Sequence, residues 1–390
     1  MKEMKKLGDF IQPVDVRNND LSVTHLLGVS VEKRFIESIA NTIGTDFSKY
    51  KIVKKGQFTY IPDTSRRGDK IGIALLTDYD EGLVSNIYTV FEITDTSKLL
   101  PEYLMLWFSR PEFDRYARFK SHGSVREIFD WDEMCRVELP VPPINEQQKI
   151  VDTYNAITNR IRIKQKINEY ILKQGIQIVQ NFVGNAIYSK KTDSEIEEIK
   201  SSLPINQKMI AIKDFCKNTK SGSTPSRTEI DYWKNGNIPW LKSGEVHNNI
   251  TVETDEYITK KATDETSAKL LPENTVLMAM YGVTAGEVGY LGIEATTNQA
   301  ICGMICNSLE DSAYLYFSLL QNQKEISSLA NGGAQNNLSK ELIENLKIVI
   351  PENISELRLN VLVRNLILNT KELQKLNQLK QLVVSQISQR

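Results

Sequence analysis

Two stretches of the chain carry apolar residues on a three-four alternation long enough to make rods. In the first, Tyr154, Ile157, Ile161, Ile171, Ile178 and Phe182 share one helical face, and Lys164, Asn168 and Gly175 fill the remaining seam positions. In the second, Leu362, Leu366, Leu373, Leu376, Val383 and Ile387 repeat that spacing, interrupted at Asn369 and Lys380. Sustained heptads with polar breaks are how paired helices fix register and partner. The two rods are therefore expected to pair, with Ile157, Ile161, Ile171 and Ile178 facing Leu366, Leu373, Leu376 and Val383. Each follows an apolar run closed by proline: RVELPVPPINEQQKIVDTYNAI at residues 136–157 and NLKIVIPENISELRLNVLVRNL at residues 345–366. Pro142 and Pro143 stop regular structure, Asn145 stands where an N-cap belongs, and Gln148 completes a capping-box pattern.

Ahead of each rod lies a mixed segment. Short apolar runs such as IGIALL (71–76) and SNIYTVFEI (85–93), bounded by Gly and Asp, read as strands. Residues 101–119 have helical spacing with Pro101 in the first turn. From residue 209 to 350 loop signals at SGSTPS (221–226), a turn at NGNIPW (235–240), a Gly-rich stretch (281–292) and helical spacing at 313–330 follow in the same order. Asp9-Phe10 answers Asp214-Phe215, Ser85-Asn86 answers Thr297-Asn298, and Tyr103-Leu104 answers Tyr314-Leu315. A repeat of about 205 to 212 residues is too long for a solenoid unit and indicates a duplicated domain. The polar residues 189–208 read as a linker, mobile or partly helical.

Composition narrows this picture little. With 390 residues, 41% apolar and 25% charged, each half can bury its own core. No apolar run is long enough to span a bilayer or to form the core of a signal peptide, so no membrane is expected and the expected location is the cytoplasm. Four cysteines without a Cys-x-x-Cys pair and three histidines make a metal site unexpected. A net charge of -1 argues against a simple nucleic-acid binder, unless positive charge is local. Local clusters do exist: Arg66, Arg67 and Lys70; Arg115, Arg118, Lys120 and Arg126; Lys217, Lys220, Arg227, Lys234 and Lys242. Taken alone, they read as solvated surface.

Catalytic motifs fail on spacing. The Gly-rich stretch lacks the Lys-Ser or Lys-Thr of a phosphate loop and reads as hairpin turns. Pro62-Asp63 is not followed by the Glu-x-Lys of a metal-dependent nuclease, there is no Gly-x-Ser-x-Gly elbow, and no Asp-Pro-Pro-Tyr or Asn-Pro-Pro-Phe run would hold a flipped adenine. No active site is expected. What remains is recognition chemistry: hydroxyls at Ser221, Ser223 and Thr224, cations at Lys220, Arg227, Lys234 and Lys242, and amides at Gln335 and Asn336. Such side chains contact phosphates and base edges. Trp233 and Trp240 read as core, and Asn337 equally as the cap of the following helix.

Together these segments resemble the DNA-specificity subunit of type I restriction-modification systems along nearly the whole chain. LPVPPINEQQKIV (139–151), the SGSTPS loop with its following YW and NIPWL, YGVTAGEVG with TNQAI, and SRRGDKIGIA with GLVSNIYTVF carry the resemblance. It departs at IPENISELRL, which lacks the Glu-Gln-Gln run of residues 146–148, and in the first half, which has no Thr-Pro loop. The resemblance implies an α+β chain: a target-recognition domain at 1–143, a spacer helix at 144–188, a linker at 189–208, a second target-recognition domain at 209–350 and a C-terminal spacer helix at 351–390, the helices forming an antiparallel coiled coil. It also implies a non-catalytic bacterial subunit that reads double-stranded DNA. Two methyltransferase subunits and, in the full complex, two restriction subunits would join it and hold the S-adenosylmethionine, ATP and Mg. About 30 helical residues would span about 45 Å, close to the ~34 Å between major-groove faces one turn apart. Two rival readings stay open: a coiled-coil adaptor that binds only proteins, and an enzyme acting on DNA itself.

Overall fold

Residues 4–38, 44–64, 70–122, 127–188, 191–247, 249–330 and 337–387 are described by a computed structural model, whose contacts divide the chain into two units. Met1–Ile161 and Leu376–Arg390 form one, Arg162–Lys375 the other.

In the first unit, strands Ile11–Val14, Thr89–Ile93, Phe58–Tyr60 and Ile73–Leu75 lie in that order as an antiparallel sheet. Helices α1 (Pro101–Phe108), α2 (Pro111–Lys120) and α3 (Trp131–Cys135) accompany it. Their core is aromatic, with Phe58 and Phe91 stacked at 4.9 Å and Phe108 edge-on to both. The helix expected over 101–119 is broken in two. Pro111 lacks an N–H and pushes the residue before it out of the α region, so Arg110 is extended at ψ 141° and a new helix starts.

Helix α4 (Ile144–Val183, 40 residues) enters the second unit, where α5 (Asp193–Ser202) and α6 (Ile212–Phe215) follow. Much of the expected linker is thus ordered, α5 being opened by a reciprocal Thr192–Glu195 capping box. A five-stranded sheet runs Asn218–Ser221, Ile301–Ile305, Val276–Ala279, Val288–Leu291, Ile250–Thr251, and a small sheet joins Glu256–Ile258, Ile238–Leu241 and Thr296–Thr297. Helices α7 (Lys260–Glu265), α8 (Leu309–Gln321), α9 (Gln323–Ser327) and α10 (Lys340–Asn345) complete the domain before α11 (Leu359–Gln386). Ser339, not Asn337, caps α10 by accepting from the Leu342 amide.

The duplication extends to individual hydrogen bonds. Met4 pairs with Pro140 in an antiparallel ladder, and Met209 with Val349. Just beyond, the Leu7 amide donates to the Val137 carbonyl at 2.7 Å and the Ile212 amide to that of Leu346 at 2.9 Å. Buried Tyr103 donates its hydroxyl to the Pro140 carbonyl at 3.1 Å, and buried Tyr314 donates to that of Val349 at 2.5 Å. Each tyrosine, on the helix after the sheet, thereby ties down the strand that leads into a rod.

Helix α4 begins one residue before the expected cap, at Ile144, so Asn145 lies inside its first turn. Gln148 bonds Asp152 instead of closing a capping box. Gln147 does the fastening: fully buried, it accepts from the Leu100 amide at 2.9 Å and donates to the Lys98 and Pro142 carbonyls at 2.8 Å. The helix stops at Val183, short of residue 188, with Gly184 following at φ 65°, a conformation favouring glycine.

Of the seam residues, Ile157, Ile161, Ile171, Leu366 and Val383 are buried, and Ile178, Leu373 and Leu376 half-buried. Phe182 is 53% exposed and does not belong to the seam. Within the second unit Lys164 donates to Asn369 at 2.8 Å and pairs with Glu372 at 2.8 Å, while Asn369 donates to Asn168 at 3.0 Å. Position 164 meets 372 and position 168 meets 369, so the helices are antiparallel. In the first unit Lys380 lies over the Tyr154 ring at 5.4 Å. The rods also belong to domain cores: Ile171, Val179, Val363 and Leu366 join the second, and Val151 and Ile387 the first. Among the described residues no helix is long and apolar enough to cross a membrane.

Candidate nucleic-acid interface

The loop leaving strand Asn218–Ser221 is pinned at its base by backbone. The Ser223 amide donates to the Thr297 carbonyl at 2.8 Å, and Gly222 lies so close that a Cβ there would come within 2.0 Å of that carbonyl oxygen. Trp240 Nε1 donates to the Ser223 carbonyl and Trp233 Nε1 to that of Ser226, both at 3.0 Å. The two indoles meet edge to face at 5.0 Å, with Trp240 fully buried. Both tryptophans thus hold the loop from beneath; Trp240 is core, as expected, whereas Trp233 is only half-buried. Thr224, exposed, donates its hydroxyl to Gln299 at 2.6 Å.

Arg227 lies on this platform, its Cζ 3.7 Å from the Trp233 centroid and 5.0 Å from that of Trp240. It donates to Glu256, whose other oxygen holds Lys242 at 3.0 Å. Glu256 is the residue that sequence reasoning missed. The hydrogen bond from Arg227 keeps its carboxyl below the ordinary value of 4.5, and the separate hydrogen bond that Lys242 makes to Glu256 raises Lys242. Two of the expected phosphate contacts are therefore engaged internally, Lys242 also lying 3.6 Å from Asp255. Glu245 adds to the frame by accepting from the Lys242 and Asp255 amides at 3.0 Å. Lys220 and Lys234 form no ion pair among the described residues; Lys220 is half-exposed and Lys234 exposed, and Ser221, next to Lys220 in the chain, is exposed. No local signal in the sequence marks Glu256, because it comes from a strand 29 residues beyond Arg227.

In the first domain Arg118, on α2, pairs with Glu127. Lys120 ends that helix 6.0 Å from the Phe119 ring, which is 80% exposed. Lys70 is exposed. Arg66, Arg67, Arg126, Gln335 and Asn336 lie outside the described residues. Among the described residues no group of three or more His, Cys, Asp or Glu side chains is placed to hold a metal. This surface can offer cations and hydroxyls to a polyanion from a rigid base.

A family model for the type I restriction modification DNA specificity domain matches residues 2–173 and 204–380. The specificity subunit of type I restriction enzyme MjaIX from Methanocaldococcus jannaschii is 24% identical over 257 residues, 65% of this chain but only 59% of that subunit. The HindI specificity subunit from Haemophilus influenzae is 22% identical over 363 residues, covering 77% of this chain and 78% of its own length. In fold, the crystal structure of a type I restriction-modification S subunit from M. genitalium covers 100% of this chain and 96% of that one, with a TM-score of 0.61 at 13% identity.

Proposed function

Because the chain belongs to the type I restriction-modification DNA specificity family, we propose that each of its two domains reads one half of a bipartite double-stranded DNA site. The observation that carries this reading is the duplicated frame. Both domains tie the strand before a rod with the same tyrosine-to-carbonyl bond, yet the loop over Trp233 and Trp240 is a feature of the second domain, and the first half of the sequence has no Thr-Pro loop of that kind. Equal scaffolds with unequal loops suit the reading of two different half-sites. Lys220 and Lys234 would meet phosphates, with Ser221, Ser223 and Thr224 nearer the bases. The rods would set the spacing and dock two methyltransferase subunits and two restriction subunits in the cytoplasm. Methyl transfer and DNA translocation, with S-adenosylmethionine, ATP and Mg, would belong to those partners. Mapping methylated adenines genome-wide, with and without this chain, tests the reading: a split motif should vanish without it, and an unchanged methylome rejects it.

A second reading, a coiled-coil adaptor that holds proteins only, is favoured by the net charge of -1 and by Glu256 and Asp255 engaging Arg227 and Lys242. A mobility-shift series on the purified complex separates the two. An adaptor gives no DNA binding that weakens with salt, whereas a reader loses affinity linearly on a log-log plot.

A further inference from the structure

Away from the loops discussed above, the first unit holds a cavity of about 740 Å³ between the loop at residues 31–33, the α1–α2 junction and the last turns of α11. Arg110 lines it and is only 5% exposed. The guanidinium is stacked on Trp107, with Cζ 3.4 Å from the ring centroid, and its Nε donates to the Trp107 carbonyl at 3.2 Å. No carboxylate among the described residues forms an ion pair with it, and Glu112 attracts it only at longer range. Burial pushes the group down to about 10, which still leaves it charged at neutral pH. A buried guanidinium without a counter-charge is costly, and interiors usually supply one.

The other lining charges supply it only in part. Lys33 and Asp114 cancel each other at 2.6 Å, and Glu112 is held by Arg115 at 3.2 Å. Lys70, Arg110 and Lys380 are left against Glu32. The geometry points to a binding site for a small phosphate-bearing anion, clasped by Arg110 from within and by Lys70 and Lys380 from the rim. The planar fork of a guanidinium matches tetrahedral oxyanions bidentately. An excess of two positive charges suits a phosphate at its second ionisation better than a single carboxylate. The volume is typical of small-molecule sites, which run from about 300 to 1,000 Å³, and leaves room for an organic portion beside Tyr154. A duplex backbone is too broad to present a phosphate to so buried a side chain.

Titrating inorganic phosphate into the full chain at ionic strength held constant with chloride tests the site. Saturable one-site binding is expected. Arg110→Gln should weaken it at least about tenfold, and Lys380→Ala and Lys70→Ala about threefold each, the Lys70 variant with an unchanged melting temperature. If the Arg110 variant does not fold, Lys380→Ala and Lys70→Ala decide. Non-saturable heats overturn the inference, as does saturable binding that both lysine variants leave intact. Equal weakening of phosphate and of random duplex DNA by Lys380→Ala overturns it too, by assigning the pocket to the DNA path.

Discussion

At the scale of single residues, this chain repeatedly spends carboxylates on holding cations in place. Glu256 fixes Arg227 and Lys242, and its carboxyl is held below 4.5, first by the Arg227 hydrogen bond. A carboxylate depressed in the folded state contributes stability that is present above its unfolded value and lost as pH falls through the folded one. Indole fluorescence from Trp233 and Trp240 should therefore change below pH 4.5 in the native chain and stay flat in Glu256→Gln. A flat native titration would show that the pair does not hold the loop. At neutral pH the same variant removes one negative charge and frees Arg227, while Lys242 keeps Asp255 at 3.6 Å, so DNA binding should become more salt-dependent, the log-log slope steepening by up to about 1. The first domain has a drier pair: side-chain exposures at Lys33 and Asp114 are 7% and 11%. Asp114→Asn would strand a buried ammonium and should cost about 3–5 kcal/mol in urea unfolding. Paired with Lys33→Met, the same change should cost far less, and equal costs in both backgrounds would refute a charge origin.

At the scale of elements, Gly175 sets two rules against each other. Helix propensity says that alanine in mid-helix gains about 1 kcal/mol over glycine. Packing says the reverse, because a Cβ at 175 would come within 2.2 Å of the Phe317 ring, which is wholly buried in the second core. Packing should win: Gly175→Ala is expected to lower thermal stability by about 1–3 kcal/mol, and a gain in melting temperature would mean that the ring yields easily. The case also marks what is legible in sequence. The heptads are local, so both rods and the breaks at Lys164, Asn168 and Gly175 can be read directly, although not that one break serves an ion network and another an aromatic ring from α8. The repeat pairs are legible for the same reason, and Tyr103 and Tyr314 prove to make equivalent bonds. The partners of Gln147 and Arg227 are not legible, since they come from distant segments that only the fold brings near.

At the scale of the whole molecule, the spacing proposal makes a geometric demand on both rods at once. Helices of 40 and 28 residues measure about 60 and 42 Å. Their register is pinned by Lys164 against Asn369 and Glu372 on one side and by Tyr154 against Lys380 on the other. An insertion in one helix alone would slide these two anchors out of step and should destabilise the chain. Four residues placed in α4 between Ile157 and Lys164, with four in α11 between Glu372 and Lys380, would keep both anchors and lengthen the strut by about 6 Å, with about 40° of extra rotation. At about 3.4 Å per base pair, the gap between methylated half-sites should grow by about two base pairs, with both half-site sequences unchanged. Mapping methylated adenines reads gap and half-sites together. A longer gap with the same halves assigns spacing to the rods and sequence choice to the domains, whereas an unaltered gap would mean that something other than these helices measures it.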